Sequence, residues 1–133
     1  MRYIIAYCLN GCPYSNNTKN MLLEFKKSYI NSNNLDIQII NVNQIESEKN
    51  FLKKKYNHNT FPIVLYKSDD NKDYLLGGNQ ELINIFDKLS TLNIQKLKDI
   101  KINSLNKNYT NSSIAEYKIL KWLYINKSNN NVN

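Results

Sequence analysis

Residue types that staple, ligate or bend a chain are scarce here: two cysteines, one histidine, three glycines and two prolines in 133 residues. The lone histidine, His58, excludes a metal site built on a histidine cluster. The two thiols, Cys8 and Cys12, are four residues apart. A loop that short removes too little chain entropy to serve as a structural staple. In a reducing compartment, a cysteine beside a strand-to-helix switch reads instead as catalytic or metal-binding. No apolar run reaches the roughly 18–20 residues needed to span a bilayer. Met1 to Leu9 is apolar but short, carries only Arg2 as a charge and lacks a small-residue cleavage site, so no secretory signal is expected. The expected location is cytoplasmic, which for a viral source means the host cytoplasm or the virion.

What is present suits one soluble domain with an appendage. The chain is 41% hydrophobic and 22% charged, enough for a modest core. Asparagine, about a fifth of the residues, reads as base-composition drift. The formal charge of +7 is uneven: residues 91–133 hold seven lysines against two acids, whereas residues 1–90 are nearly balanced. The excess belongs to the appendage, and a solvated tail explains it without a polyanionic partner.

Arg2 to Cys8 alternates, with Tyr3, Ile5 and Tyr7 on one face and Ile4, Ala6 and Cys8 on the other. Both sets are apolar, which predicts a central strand covered on both sides. Asn10 and Gly11 break it, and Pro13 suits a first helical turn. Met21, Leu22, Phe25 and Tyr29 then recur at helical spacing to about residue 29. A second strand is expected over 37–42 and a helix over 47–56 with Phe51 and Leu52 inward. Strands at 61–66 and 74–76 follow, then a helix over 80–89 that Asn79 can cap. The order β-α-β-α-β-β-α predicts a four-stranded mixed sheet flanked by helices, ending in an antiparallel hairpin. Residues 1–90 make this domain. Residues 91–133 form a basic extension without clear period until the capping-box sequence Ser113-Ile114-Ala115-Glu116, which opens a helix over about 113–125. Residues 126–133 are expected to be disordered.

Chemistry concentrates at Cys12-Pro13-Tyr14-Ser15. A cysteine at a helix start meets unpaired backbone donors and the positive end of the helix dipole, both of which favour thiolate. The dipole supplies only about 0.3–1 kcal/mol, less than one pKa unit. Amides of Tyr14 and Ser15, with the Ser15 hydroxyl, must therefore add direct hydrogen bonds if Cys12 is to ionise well below the ordinary value of about 8.5.

The stretch Tyr7-Cys8-Leu9-Asn10-Gly11-Cys12-Pro13-Tyr14-Ser15 resembles the active-site segment of glutaredoxins. Thr60-Phe61-Pro62 resembles their Thr-Val-Pro segment, whose proline is cis, and Gly77-Gly78-Asn79-Gln80-Glu81-Leu82 resembles their Gly-Gly-x-x-Asp-Leu segment. Three elements in the right order, over about residues 1–90, imply a thioredoxin-like fold and a glutathione-dependent oxidoreductase with Cys12 as nucleophile. The resemblance further implies a glutathione groove along Tyr14, Thr60, Phe61 and Pro62. The γ-glutamyl carboxylate would rest on the amides of Asn79 and Gln80, beside the close-approach turn at Gly78, and the amine near Glu81.

Departures from the family matter too. Ser15 stands where dithiol members have a second cysteine, which implies a monothiol route for reducing protein–glutathione mixed disulfides. Leu9 stands where the family usually has Lys or Arg, and Lys19 or Lys53–Lys55 are the cations that could compensate. Cys8 reads first as a buried small residue and second as a resolving thiol, which needs Cα atoms within about 7 Å of each other. His58 reads first as an exposed loop residue and second as part of the glutathione groove. The implied partners are glutathione and disulfide-bearing proteins, with the chain acting as a monomer and binding no nucleic acid. Two other functions compete. One is a [2Fe–2S] carrier with Cys12 as the sole protein ligand of each of two subunits; the usual carrier signature has Gly-Phe where Pro13-Tyr14 stands. The other is a non-catalytic module acting through its basic tail.

Overall fold

The computed structural model describes residues 1–29, 34–106 and 111–130. The elements are β1 (Arg2–Leu9), α1 (Pro13–Tyr29), β2 (Leu35–Val42), α2 (Glu46–Tyr56), β3 (Ile63–Lys67), β4 (Asp73–Gly77), α3 (Asn79–Ser90), α4 (Ile94–Asn106) and α5 (Asn111–Asn130). The sheet order is β2-β1-β3-β4. β1 pairs parallel with β2 and antiparallel with β3, and β3 pairs antiparallel with β4. This is the four-stranded mixed sheet of a thioredoxin-like α/β fold, with a helical C-terminal extension.

The alternation along β1 divides the core. Ile4, Ala6 and Cys8 are wholly buried with Leu22 and Phe25 of α1 and Leu82 and Ile85 of α3. Phe25 and Phe86 stack at 4.8 Å between ring centroids, joining α1 to α3. On the other face, Ile5 packs with Val42, Phe61, Ile63 and Leu65 beneath α2. Each such aliphatic side chain contributes roughly 1.5–3 kcal/mol on burial.

Register sets the position of the site. Tyr7 on β1 pairs with Ile63 at the start of β3. The chain just before β3, Phe61-Pro62, therefore lies beside the chain just after β1, which turns into α1. Gly77 at the end of β4 pairs with Val64, bringing the start of α3 to the same edge.

Three parts differ from the reading of the sequence. Phe51 is not inward: it is 64% exposed and lines an open apolar cleft of about 370 Å³ with Ile40, Val42 and Leu52. α2 has no fully buried residue and rests on the sheet through Leu52 and Tyr56. The aperiodic stretch after residue 91 contains α4, which turns Leu97 inward while Ile94, Ile102 and Leu105 stay exposed. The last helix spans Asn111–Asn130, longer than the expected 113–125, and residues 131–133 lie outside the described residues. Ala115, Ile119, Leu120 and Leu123 of α5 are fully buried in the same cluster as Ile4 and Ala6. The extension thus completes the core. No helix among the described residues is long and apolar enough to cross a membrane.

Candidate active site

β1 ends at Leu9, and the next three residues turn the chain into α1. The Cys12 amide donates to the Leu9 carbonyl at 3.2 Å, closing a four-residue turn. Gly11 lies at φ +80, the third position of a type II turn, where an L side chain is strained. The Asn16 amide then donates to the Cys12 carbonyl at 3.0 Å, which makes Cys12 the N-cap of α1. Gln44 pins the turn from outside, its Nε2 donating to the Asn10 carbonyl at 3.0 Å.

Cys12 is half-buried and a free thiol. Partial desolvation works against its ionisation, but hydrogen bonds from the Ser15 amide, the Ser15 hydroxyl and the Tyr14 amide outweigh it. The net result is a pKa below the ordinary cysteine value. Ser15 is completely buried beneath the sulfur. Its Oγ accepts from the Leu9 amide at 3.0 Å, leaving its own hydrogen to donate to Cys12. Strand end and thiolate are thereby linked through one hydroxyl. The Tyr14 side chain is 66% exposed and stands in solvent. Lys19 acts on Cys8, where its charge opposes the effect of burial.

The Phe61–Pro62 peptide is cis. The Phe61 carbonyl oxygen lies 3.8 Å from Cys12 Sγ, a long and weak thiol contact. Pro62 and the Phe61 ring are buried, while Thr60 is exposed. Lys53 Nζ sits 5.9 Å from the Phe61 ring centroid. Phe61 therefore presents its backbone to the sulfur and its ring to the core and a lysine.

The third wall is the corner from β4 to α3. Gly77 has φ +127, and a Cβ there would come within 2.7 Å of Glu81. A Cβ on Gly78 would meet His58 Nε2 at 3.3 Å and the Pro62 carbonyl at 3.4 Å. Both glycines are needed for close approach. His58 is half-buried rather than an exposed loop residue: it faces Gly78, and its Nε2 lies 3.4 Å from Thr60 Oγ1. The Gly78 amide donates to Glu81 Oε1 at 3.3 Å, so this carboxylate folds back on its own helix start. Asn79 Oδ1 accepts from Asn17 Nδ2 at 2.8 Å and from Thr18 Oγ1 at 3.0 Å, tying α3 to α1 behind the sulfur. Gln80 is exposed, and its side chain donates to Asn84.

Cys8 is in a different setting. It is fully buried in the apolar cluster, and desolvation pushes its pKa up to about 11 despite the opposing charge of Lys19. It too is a free thiol. Among the described residues no group of three or more His, Cys, Asp or Glu side chains is arranged to hold a metal ion.

Cys12, Ser15, the Phe61 carbonyl and the Gly77-Gly78 corner therefore meet at one edge of the sheet. Asn17 and Thr18 were not among the residues the sequence singled out, and His58 was read there first as an exposed loop residue. Gly78 is the one local signal for His58, because a residue without a side chain there leaves room for a neighbour.

Such an edge can expose an activated sulfur to an extended substrate. The family model for glutaredoxins matches residues 4–69, spanning β1, Cys12, α1 and the cis proline and stopping before Gly77. No curated protein matches the sequence. By that match, with the thioredoxin-like sheet beneath it, the chain carries a glutaredoxin-family domain over residues 4–69.

Proposed function

We propose that the chain carries out a glutathione-dependent reduction of protein–glutathione mixed disulfides by a monothiol route through Cys12. The family match supports thiol–disulfide oxidoreductase activity in general terms. The observation that carries this reading is the sulfur itself. It is accessible, caps a helix and is held toward thiolate by hydrogen bonds from Ser15 and Tyr14.

In the first step the Cys12 thiolate attacks the glutathione sulfur of the mixed disulfide. The protein–glutathione S–S bond breaks, the protein thiolate leaves and takes a proton from water, and a Cys12–glutathione disulfide forms. In the second step a free glutathione thiolate attacks the glutathione sulfur of that adduct. Oxidised glutathione leaves and Cys12 returns as thiolate. Across the cycle one free glutathione thiol is oxidised as the protein sulfur is reduced, and it leaves paired with the glutathione that came from the mixed disulfide. With Ser15 in place of a second thiol, no disulfide can close across the turn.

Glutathione would lie along Thr60, Phe61 and Pro62, its cysteinyl backbone pairing with Phe61. The free amides at the start of α3, Asn79 and Gln80, suit its γ-glutamyl carboxylate. Glu81 suits the amine, though its Oε1 already accepts from Gly78 and must share that contact. Tyr14 would flank the sulfur. Cys8 is a poor resolving thiol on this reading, because it is buried and remains protonated at neutral pH.

The test is turnover of a small glutathione mixed disulfide. Cys12→Ser is expected to fall to the uncatalysed background, and Cys8→Ala to retain most of the activity. Equal loss in the two variants would defeat the monothiol assignment.

A further inference from the structure

A cleft of about 320 Å³ opens at the opposite end of the sheet from Cys12, between the β3–β4 turn and α5. Arg2, at the start of β1, is in its wall, and the eight residues of β1 put it roughly 20 Å or more from the thiol. The cleft is independent of the thiol chemistry.

Its charges are unevenly used. Asp69 accepts from Arg2 at 3.1 Å. Asp70 takes the Ser68 hydroxyl, the Lys72 amide at 3.0 Å and the Tyr74 hydroxyl at 3.2 Å. Both carboxylates are thus engaged by the protein. The unused capacity consists of donors. Arg2 Nε is buried without an acceptor among the described residues. Lys118 and Lys121 line the same cleft from α5, one turn apart, and neither is ion-paired among the described residues. Each instead rests over an aromatic ring, Lys118 at 5.1 Å from Tyr74 and Lys121 at 6.0 Å from Tyr117. A buried donor without a partner is costly, so a ligand that supplies an acceptor there recovers that cost.

We infer that this cleft binds a small phosphate-bearing anion free in solution. Two lysines without ion pairs among the described residues and the unpartnered Arg2 Nε line the cleft from two elements, a donor set that suits a polyanion better than a single carboxylate. The volume holds a phosphate or diphosphate with a small organic part.

Trp122 is the chain's single tryptophan and lies in the cleft with the Arg2 guanidinium 5.1 Å from its ring. Its fluorescence is therefore a direct reporter. Titrating the full chain with sodium pyrophosphate is expected to give a saturable change that sodium chloride at equal ionic strength does not. The double variant Lys118→Ala/Lys121→Ala should bind at least about tenfold more weakly, since it removes two charged donors. Thiol turnover in that variant should be unchanged. The same response to chloride and pyrophosphate, or unchanged affinity in the double variant, would overturn the proposal. So would preferential binding to phosphatidate vesicles over free pyrophosphate, which would assign the cleft to a lipid surface.

Discussion

Cys8 and Cys12 are four residues apart, yet the fold gives them opposite chemistry. Cys8 is the penultimate residue of a central strand, facing a core cluster, and burial pushes its pKa up to about 11. Cys12 is one turn further on, at a helix start, where three hydrogen bonds overcome partial desolvation and lower its pKa. Direct donors within reach decide the difference. Reactivity follows from the position of a sulfur relative to the end of an element, and composition alone does not reveal it.

Several substitutions probe this contrast. Leu120→Ala should have the largest effect. It removes a fully buried side chain from the cluster that contains Cys8, and such truncations cost about 2–5 kcal/mol. Chemical denaturation should show that loss, and alkylation of Cys8, which requires unfolding, should speed up in proportion. Ser15→Ala acts on the other sulfur. It removes one donor to Cys12 and leaves the Leu9 amide without its acceptor, so the pH profile of Cys12 alkylation should move upward. A profile that stays in place would mean the Tyr14 and Ser15 amides suffice. Asn79→Ala should cost about 1 kcal/mol by removing the acceptor of Asn17 and Thr18, with little change at the sulfur.

The two thiols also differ in sign as pH changes. Cys12 ionises more easily folded than unfolded, so its contribution to stability is present above about 8.5, the unfolded value, and is lost as pH falls through the folded one. Cys8 is the reverse: its contribution is present below the unfolded value and is lost as pH rises toward about 11. Between pH 8.5 and 11, stability should therefore decline less steeply in Cys8→Ala than in the parent chain, a small effect measurable by denaturant titration.

How much of this was legible in the sequence depended on whether the signal was local. The alternation in β1 gave away both faces of the sheet, because every second residue is apolar and each face is in fact covered. The turn at Gly11, the cap at Cys12 and the glycine corner all have signatures within a few residues. α4 lacked one: Leu97 and Ile100 pack inward, but Ile94, Ile102 and Leu105 are more than half exposed, and this blurs the helical period. Phe51 misled for the same reason in reverse, being apolar at helical spacing on a helix that rests on the sheet through Leu52 and Tyr56. The tie from Thr18 to Asn79 joins residues 61 apart through side-chain polar atoms, and nothing local encodes it. His58 became a wall of the site only because Gly78 folds against it.

The most direct measurement is site-resolved alkylation of the native chain with iodoacetamide from pH 5 to 9, read by mass spectrometry. The account predicts that Cys12 reacts with a midpoint below that of a free thiol, about 8.5, while Cys8 remains unmodified until the chain unfolds. Modification of Cys8 at the rate of Cys12, or a Cys12 midpoint at or above the free-thiol value, would contradict it.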